Sequence, residues 1–557
     1  MVSIINKVGY KGWGDFTLRL VLPVLLTTLL FSGAVLVFLS LPWYIPVVLM
    51  GIGVIFIVVY PLIVVQRQKV NIQENIHLFI TYAGTISTID LDRSTFFKKV
   101  AQKQKYGYIS QVAEKAVYLA KKWNLGFAHT LRKLALHSPS RIFADFLDRF
   151  AAIMDFGGEL QTFLGEEQDA VMSDYESEYR QALNNIGMLR EVFIAITISV
   201  AFAMSISLLL PLLQGVSIIV AIKWSLVGLI LVDLLLVTLI IGFIPSDKLC
   251  HSLKHKDEGM KRIRKSLYFT APSAAVIMGV LFLYTNLDFL LVFAIGITPF
   301  LITGSYATRE ERMVFKRDKS FPSFIRALGS TIYARQGGVV SSLHALRVHD
   351  FGVLNDMVTN LYRRLKLGSD REKSWYYFAA ETGSNLISYF IYIFSESIYM
   401  GGHAQRIGEI ISNNFTRLID LRTLRQQQAG ALRGSLYGAL VGFIATVYIA
   451  VSITTILSQM FGSALEGAST GGNVGGMVGS ILPAIPEVDT ALVGIYIGVL
   501  IIIHSFVSSY IIKVVDGGHK MAFFFDFTLM IWIGAALSIV IPIVSDKLFL
   551  PAIGGGM

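Results

Sequence analysis

A chain of 557 residues in which 54% are hydrophobic and only 15% are charged is too apolar for a soluble fold, whose charged share is nearer ~25%. A single cysteine, Cys250, excludes a disulfide framework and a thiolate-rich metal site. The formal charge of +10 reads chiefly as a membrane topology signal.

A helix needs about 20 apolar residues to cross the hydrocarbon core, and nine runs reach that length. In chain order they are Leu20 to Ser40, Trp43 to Val65, Val192 to Leu213, Trp224 to Ile244, Leu267 to Tyr284, Phe289 to Tyr306, Leu436 to Leu457, Ala491 to Ile512 and Ala522 to Val544. This predicts an all-α polytopic membrane protein with about nine transmembrane helices. Its parts are an N-terminal segment with two spans (1–65), a polar module (66–191), four spans joined by a basic loop (192–306), a second polar module (307–433) and three final spans (434–557). With the N-terminus in the cytoplasm, 46 of the 48 Lys and Arg residues fall inside, leaving only Lys223 and Lys547 outside. The expected protein is therefore a multi-pass cell-membrane protein, N-terminus in and C-terminus out. The first run is a full span followed at once by a second, so a cleaved signal peptide is not expected.

The first module opens on the stripe Ile72, Ile76, Phe79, Ala83 and Ile86, at helical spacing. Ser94 is placed to cap a helix through Phe97 and Val100, and a cleaner stripe runs through Ile109, Val112, Ala116, Leu119 and Trp123. Ser138-Pro139 predicts the start of a helix that ends at Gly157-Gly158. Glu159 to Arg190 then runs without proline into the third span. The second module repeats the path with Phe321, Phe324, Leu328 and Ile332, then Leu354 to Leu365, Thr382-Gly383-Ser384, a helix through Phe390 and Phe394, and Gly401-Gly402. The register is shared. Gly84 and Gly329, like Gly107 and Gly352, are 245 positions apart, and the Gly pairs 157–158 and 401–402 are 244 apart. This predicts two duplicated cytoplasmic helical-bundle modules. Ser458 to Val488, rich in Gly, reads as a flexible external linker.

Chemistry-bearing motifs are absent. The chain has no Gly-Lys dipeptide and hence no Walker-type phosphate cradle, no HExxH and no GxSxG. It is not expected to be an enzyme, to hold a cofactor or metal, or to bind nucleic acid. His251 and His255, spaced i, i+4, read as interfacial polar residues rather than ligands. Asp233, His504 and Asp526 fall within spans, where ionisable groups are costly and raise the alternative of a transporter. Pro211, Pro245, Pro272 and Pro299 fall near helix ends rather than mid-span, against the broken helices of transporters, which favours a packing role for those three.

The motifs of the second module, Gly338 to Leu346, Asp350-Phe351-Gly352, Thr382-Gly383-Ser384, Glu396 and Gly401-Gly402, resemble the type II secretion system F domain family. The first module keeps the Gly107 turn and Gly157-Gly158-Glu159-Leu160 but lacks Thr-Gly-Ser. The nine-span arrangement is similar to archaeal members, the platforms of archaella and adhesion pili. The resemblance implies a membrane platform, a homodimer, that binds a hexameric cytoplasmic secretion ATPase, pilin- or archaellin-like filament subunits and motor accessory proteins. It also gives a use to basic residues lying far along the chain from any span: Lys98, Lys99, Lys103, Lys105, Lys121 and Lys122 in the first module, and Arg363, Arg364, Lys366, Arg371 and Lys373 in the second. Together with Lys254, Lys256, Lys261, Arg262, Arg264 and Lys265 in the loop between spans four and five, they are expected to form the ATPase-facing surface. Membrane lipids are the remaining expected partner.

Overall fold

A computed structural model describes residues 44–89, 93–122, 126–214, 218–245, 247–255, 257–285, 287–336, 338–469 and 490–554, with isolated positions at 17 and 21–22. The described residues are mostly helical and form no β-strand among them, only a single backbone bridge between Cys250 and Ser384. Helix α1 (Tyr44–Ile86) leaves the second apolar run and continues into the first module, which adds α2 (Arg93–Ala101), α3 (Tyr108–Lys122), α4 (Phe127–His137) and α5 (Arg141–Phe156). The long α6 (Leu160–Gln214) returns to the membrane and is followed by α7 (Ile218–Phe243), α8 (Glu258–Tyr284) and α9 (Phe289–Ile297). Helix α10 (Phe300–Arg335) enters the second module, built from α11 (Gly338–Leu346), α12 (Asn355–Lys366), α13 (Arg371–Thr382) and α14 (Asn385–Tyr399). Helix α15 (Ala404–Ser469) leads back, and α16 (Thr490–Asp516) and α17 (Phe523–Gly554) complete the membrane part.

Six helices are long and apolar enough to cross a membrane, or seven if α9 and α10 are one bent span. They correspond to the third to ninth apolar runs; apart from positions 21–22 the first run lies outside the described residues, and the second forms the start of α1. Two expectations about proline need correction. Pro272 lies inside α8, because that helix begins at Glu258, well before its apolar run. The sixth run breaks at Thr298-Pro299 with a 47° bend, since proline supplies no backbone donor to the preceding turn. Thr298 Oγ1 donates to the Ala294 carbonyl at 2.8 Å and accepts from Trp532 Nε1 at 3.1 Å, which holds the bend against α17. Two helix boundaries also differ from expectation. Helix α5 starts at Arg141 rather than at Pro139, and α15 continues to Ser469, so the first third of the presumed linker is helix.

Phenylalanines fill both modules, two of them, Phe79 with Phe324 and Phe146 with Phe390, at positions 245 and 244 apart. Phe79, Phe146, Phe150 and Phe163 pack in the first, and Phe324, Phe321, Phe378, Phe390 and Phe415 in the second, with ring centroids 4.7–6.3 Å apart. Aromatic burial of this kind dominates core energetics. The Gly pairs end α5 and α14 alike. Gly157 and Gly401 take φ of +74° and +88°, and the next amide closes back five residues, Gly158 to Ile153 and Gly402 to Ser397, at 3.1 and 3.0 Å. Gly107 and Gly352 share φ of +57° and +59°.

The modules are packed together through polar contacts. Asn414 on α15 donates to Thr81 Oγ1 at 2.8 Å and accepts from Gln168 at 3.1 Å, all three buried. Ser397 donates to Thr85 at 3.0 Å, and Arg417 pairs with Asp169 at 3.0 Å.

Candidate docking surface

The structure separates the basic residues into three places. The first is a cleft of about 540 Å³ between the modules, lined by Lys99, Lys103 and Lys105 from the α2–α3 region and by Lys373, Trp375, Tyr392, Glu396 and Tyr399 from the second module. Lys103 Nζ lies 2.7 Å from Glu396 Oε1 and donates to the Tyr392 hydroxyl at 2.8 Å. Burial opposes its charge, but these two bonds outweigh burial and hold its pKa above the usual lysine value. Lys105 differs: burial, then the charge of Lys103 beside it, pulls its ammonium down. Lys98 is half-buried on α2, Lys121 and Lys122 are exposed at the end of α3, and Arg371 lies 5.1 Å from the Tyr399 ring.

The second place is the outer end of the second module. There the Tyr362 ring carries Arg347 at 5.1 Å, Lys366 at 5.8 Å and His344 at 5.4 Å. Arg363 is exposed on the same helix, and Val348 and Leu367 stand out at 91% and 83% exposure. Arg364 is engaged with Glu381. A basic rim around exposed apolar side chains suits a protein partner. Arg347, Val348 and Leu367 are not legible from charge counting alone; what marks them is their position at the two ends of helices that meet at Tyr362.

The third place is the start of α8, where Lys261, Arg262, Arg264 and Lys265 are exposed immediately before the apolar run from Leu267, with Lys254 in the loop ahead. Lys256 lies outside the described residues. A basic cluster directly ahead of an apolar run is the pattern of a topology signal.

Beneath these patches runs a charge network that sequence reading misses. The loop between α7 and α8 lies along the Thr382-Gly383-Ser384 turn: the His251 amide donates to Gly383 O at 3.1 Å, the Asn385 amide to Leu249 O at 2.9 Å, and His251 Nε2 lies 2.9 Å from Ala380 O. Arg317 bridges Asp257 at 3.2 Å and the Thr382 carbonyl at 3.0 Å. Arg422 on α15 grips Asp247 with two nitrogens, at 2.7 and 2.5 Å, and Asp318 on α10 with the third at 2.8 Å. Burial pushes the Asp247 carboxyl up, yet Arg422 prevails and holds it at about 2. Arg425 caps α16, donating to the carbonyls of Val515 and Val514 at 2.6 and 3.0 Å and to Pro245 at 3.0 Å. Arginines spaced i, i+3 at the membrane end of a long helix are the only sequence signal, and that pattern also describes an ordinary topology signal.

Within the spans, His504 Nδ1 lies 3.1 Å from Asp233, joining α16 to α7 between the rings of Phe193 and Phe443. Arg433 pairs with Asp526 at 3.0 Å, and Tyr437 donates to the same carboxylate at 3.1 Å. Each ionisable group thus has a partner on a neighbouring helix. Among the described residues no three His, Cys, Asp or Glu side chains are placed to hold a metal ion.

Residues 79–208, the first module with most of α6, match the family described as Type II secretion system (T2SS), protein F. Over nearly its full length the chain is 33% identical to flagella accessory protein J of Methanocaldococcus jannaschii (98% of this chain, 97% of the relative). The chain belongs to the flagella accessory protein J family. The protein of that name from Methanococcus voltae is 28% identical over 98% of this chain and 99% of its own length. No solved structure matches. As a flagella accessory protein J family member with a protein F domain, the chain is a multi-pass membrane platform of the archaellum and type IV pilus kind. The protein F match falls on the copy with the more divergent motifs.

Proposed function

We propose that this platform docks a hexameric cytoplasmic secretion ATPase at the outer end of its second module and passes the motions of that enzyme to the membrane helices. There they promote insertion of archaellin- or pilin-like subunits into a growing filament and, in an archaellum, rotation. The observation that carries the reading is the continuous path from the basic end of the second module to the bilayer. Arg317 ties the α13–α14 turn to the α7–α8 loop, and Arg422 ties that loop to α15, which continues into the membrane. A homodimer and motor accessory proteins belong to the same reading by family likeness.

The double substitution Arg363→Glu with Lys366→Glu, on exposed positions, should weaken ATPase binding at least about tenfold at low salt, the loss shrinking as salt screens both proteins, and stop filament assembly while membrane insertion is unchanged. Equal affinity and equal salt dependence in the variant would remove this surface from the docking site.

A further inference from the structure

The cleft between the modules holds more positive charge than its carboxylates balance. Lys99, Lys103, Lys105 and Lys373 line it against Glu372 and Glu396. Glu396 faces Lys103 with its Oε1, which also accepts from the Tyr82 hydroxyl at 3.4 Å, while its Oε2 is buried without a hydrogen-bond partner, so one carboxylate serves Lys103 and none among the described residues serves the other lysines. Among the described residues no carboxylate lies within ion-pair reach of Lys105, whose ammonium instead sits 4.4 Å from the Tyr392 ring centroid and 5.7 Å from that of Tyr389. Lys103 shares the Tyr392 ring at 4.8 Å. Two like charges against one ring repel, and ring faces hold a cation less strongly than an anion does. An anion seated among Lys99, Lys103 and Lys105 would relieve both deficits.

The facing wall comes from the second module and is aromatic: Trp375, Tyr376 and Tyr399. The volume, about 540 Å³, falls within the range of small-ligand sites. Lysine is a compact phosphate binder, and a flat ring finds stacking partners on the opposite side. We propose that this cleft binds a phosphorylated ligand of nucleotide size, its phosphates on Lys99, Lys103 and Lys105 and its base against Tyr376 and Tyr399. Since the lysines and the aromatic wall belong to different modules, the ligand bridges the two.

The test needs no ATPase. Equilibrium dialysis of the full-length protein in detergent against labelled ADP should show saturable, salt-sensitive binding. Pyrophosphate should compete more weakly than ADP, and adenosine not at all. Lys105→Gln should lower ADP affinity at least about tenfold, as loss of one charge-assisted contact does. Tyr399→Ala should weaken ADP but not pyrophosphate. The Arg363→Glu, Lys366→Glu protein, impaired in docking, should bind ADP normally, which separates this site from the docking surface. No ADP binding up to ~1 mM, or equal binding by wild type and by both Lys105→Gln and Lys99→Gln, would overturn the proposal. Equal affinity for ADP and pyrophosphate would refute the aromatic wall as part of the site.

Discussion

His77 shows how a single side chain sets the pH response of the modules. It lies buried on α1 with its ring centroid 5.0 Å from that of Tyr175, and its Nδ1 finds no partner. Burial drives its pKa down to about 4; Asp247 opposes the shift and Arg422 adds to it. The folded protein therefore keeps the ring uncharged at a pH where the unfolded chain, with the ordinary value of 6.5, takes up a proton. Stability is full above pH 6.5 and falls as the pH drops toward 4, by roughly 3 kcal/mol in total. Asp247 acts in the same direction lower down, losing its contribution as the pH falls from 3.8 toward 2. Thermal unfolding in detergent should show wild type losing stability between pH 7 and 5 and His77→Gln losing clearly less. Parallel curves would mean that the ring is not held neutral. None of this is legible in the sequence, where His77 is a polar position between apolar stripe residues. The same holds for Lys103, whose partner Glu396 comes from the other module.

At the scale of helices, the duplicated glycines do different work in the two copies. On α10, a Cβ at Gly329 would lie 2.6 Å from the Ala404 carbonyl oxygen and 3.1 Å from the Gly408 Cα on α15. Both are backbone atoms and cannot swing away. On α1, a Cβ at Gly84 would meet the end of the Gln168 side chain at 2.8 Å, which can move at the cost of its bond to Asn414. Gly329→Ala should therefore destabilise the protein by about 1–3 kcal/mol, the usual range for overpacking, and Gly84→Ala by less. The comparison is read from thermal unfolding of the two variants; equal losses would mean that both crossings relax alike. The helices and the two Gly-pair stops were legible because apolar spacing and left-handed glycines leave local marks. The bend at Thr298-Pro299 was not, since proline near the end of an apolar run reads as a terminus until the following helix is seen to continue.

For the whole molecule, the distribution of basic residues argues for a cytoplasmic N-terminus and an external C-terminus. A reporter active only outside the cell should work when fused after Met557 and fail when fused at Arg425; activity at Arg425 would invert the orientation.

Helix α15 has 66 residues and no proline, so at about 1.5 Å per residue it extends for roughly 100 Å. An uninterrupted helix bends gently along such a length, so sideways displacement at its N-terminal end is partly absorbed as curvature. Twist about its own axis is another matter. The Arg422 and Arg425 side chains leave one level of the helix and are bonded to the α7–α8 loop, α10 and the end of α16. Turning α15 would drag all three together, so this level behaves as a crank, and torque would pass through it more faithfully than thrust.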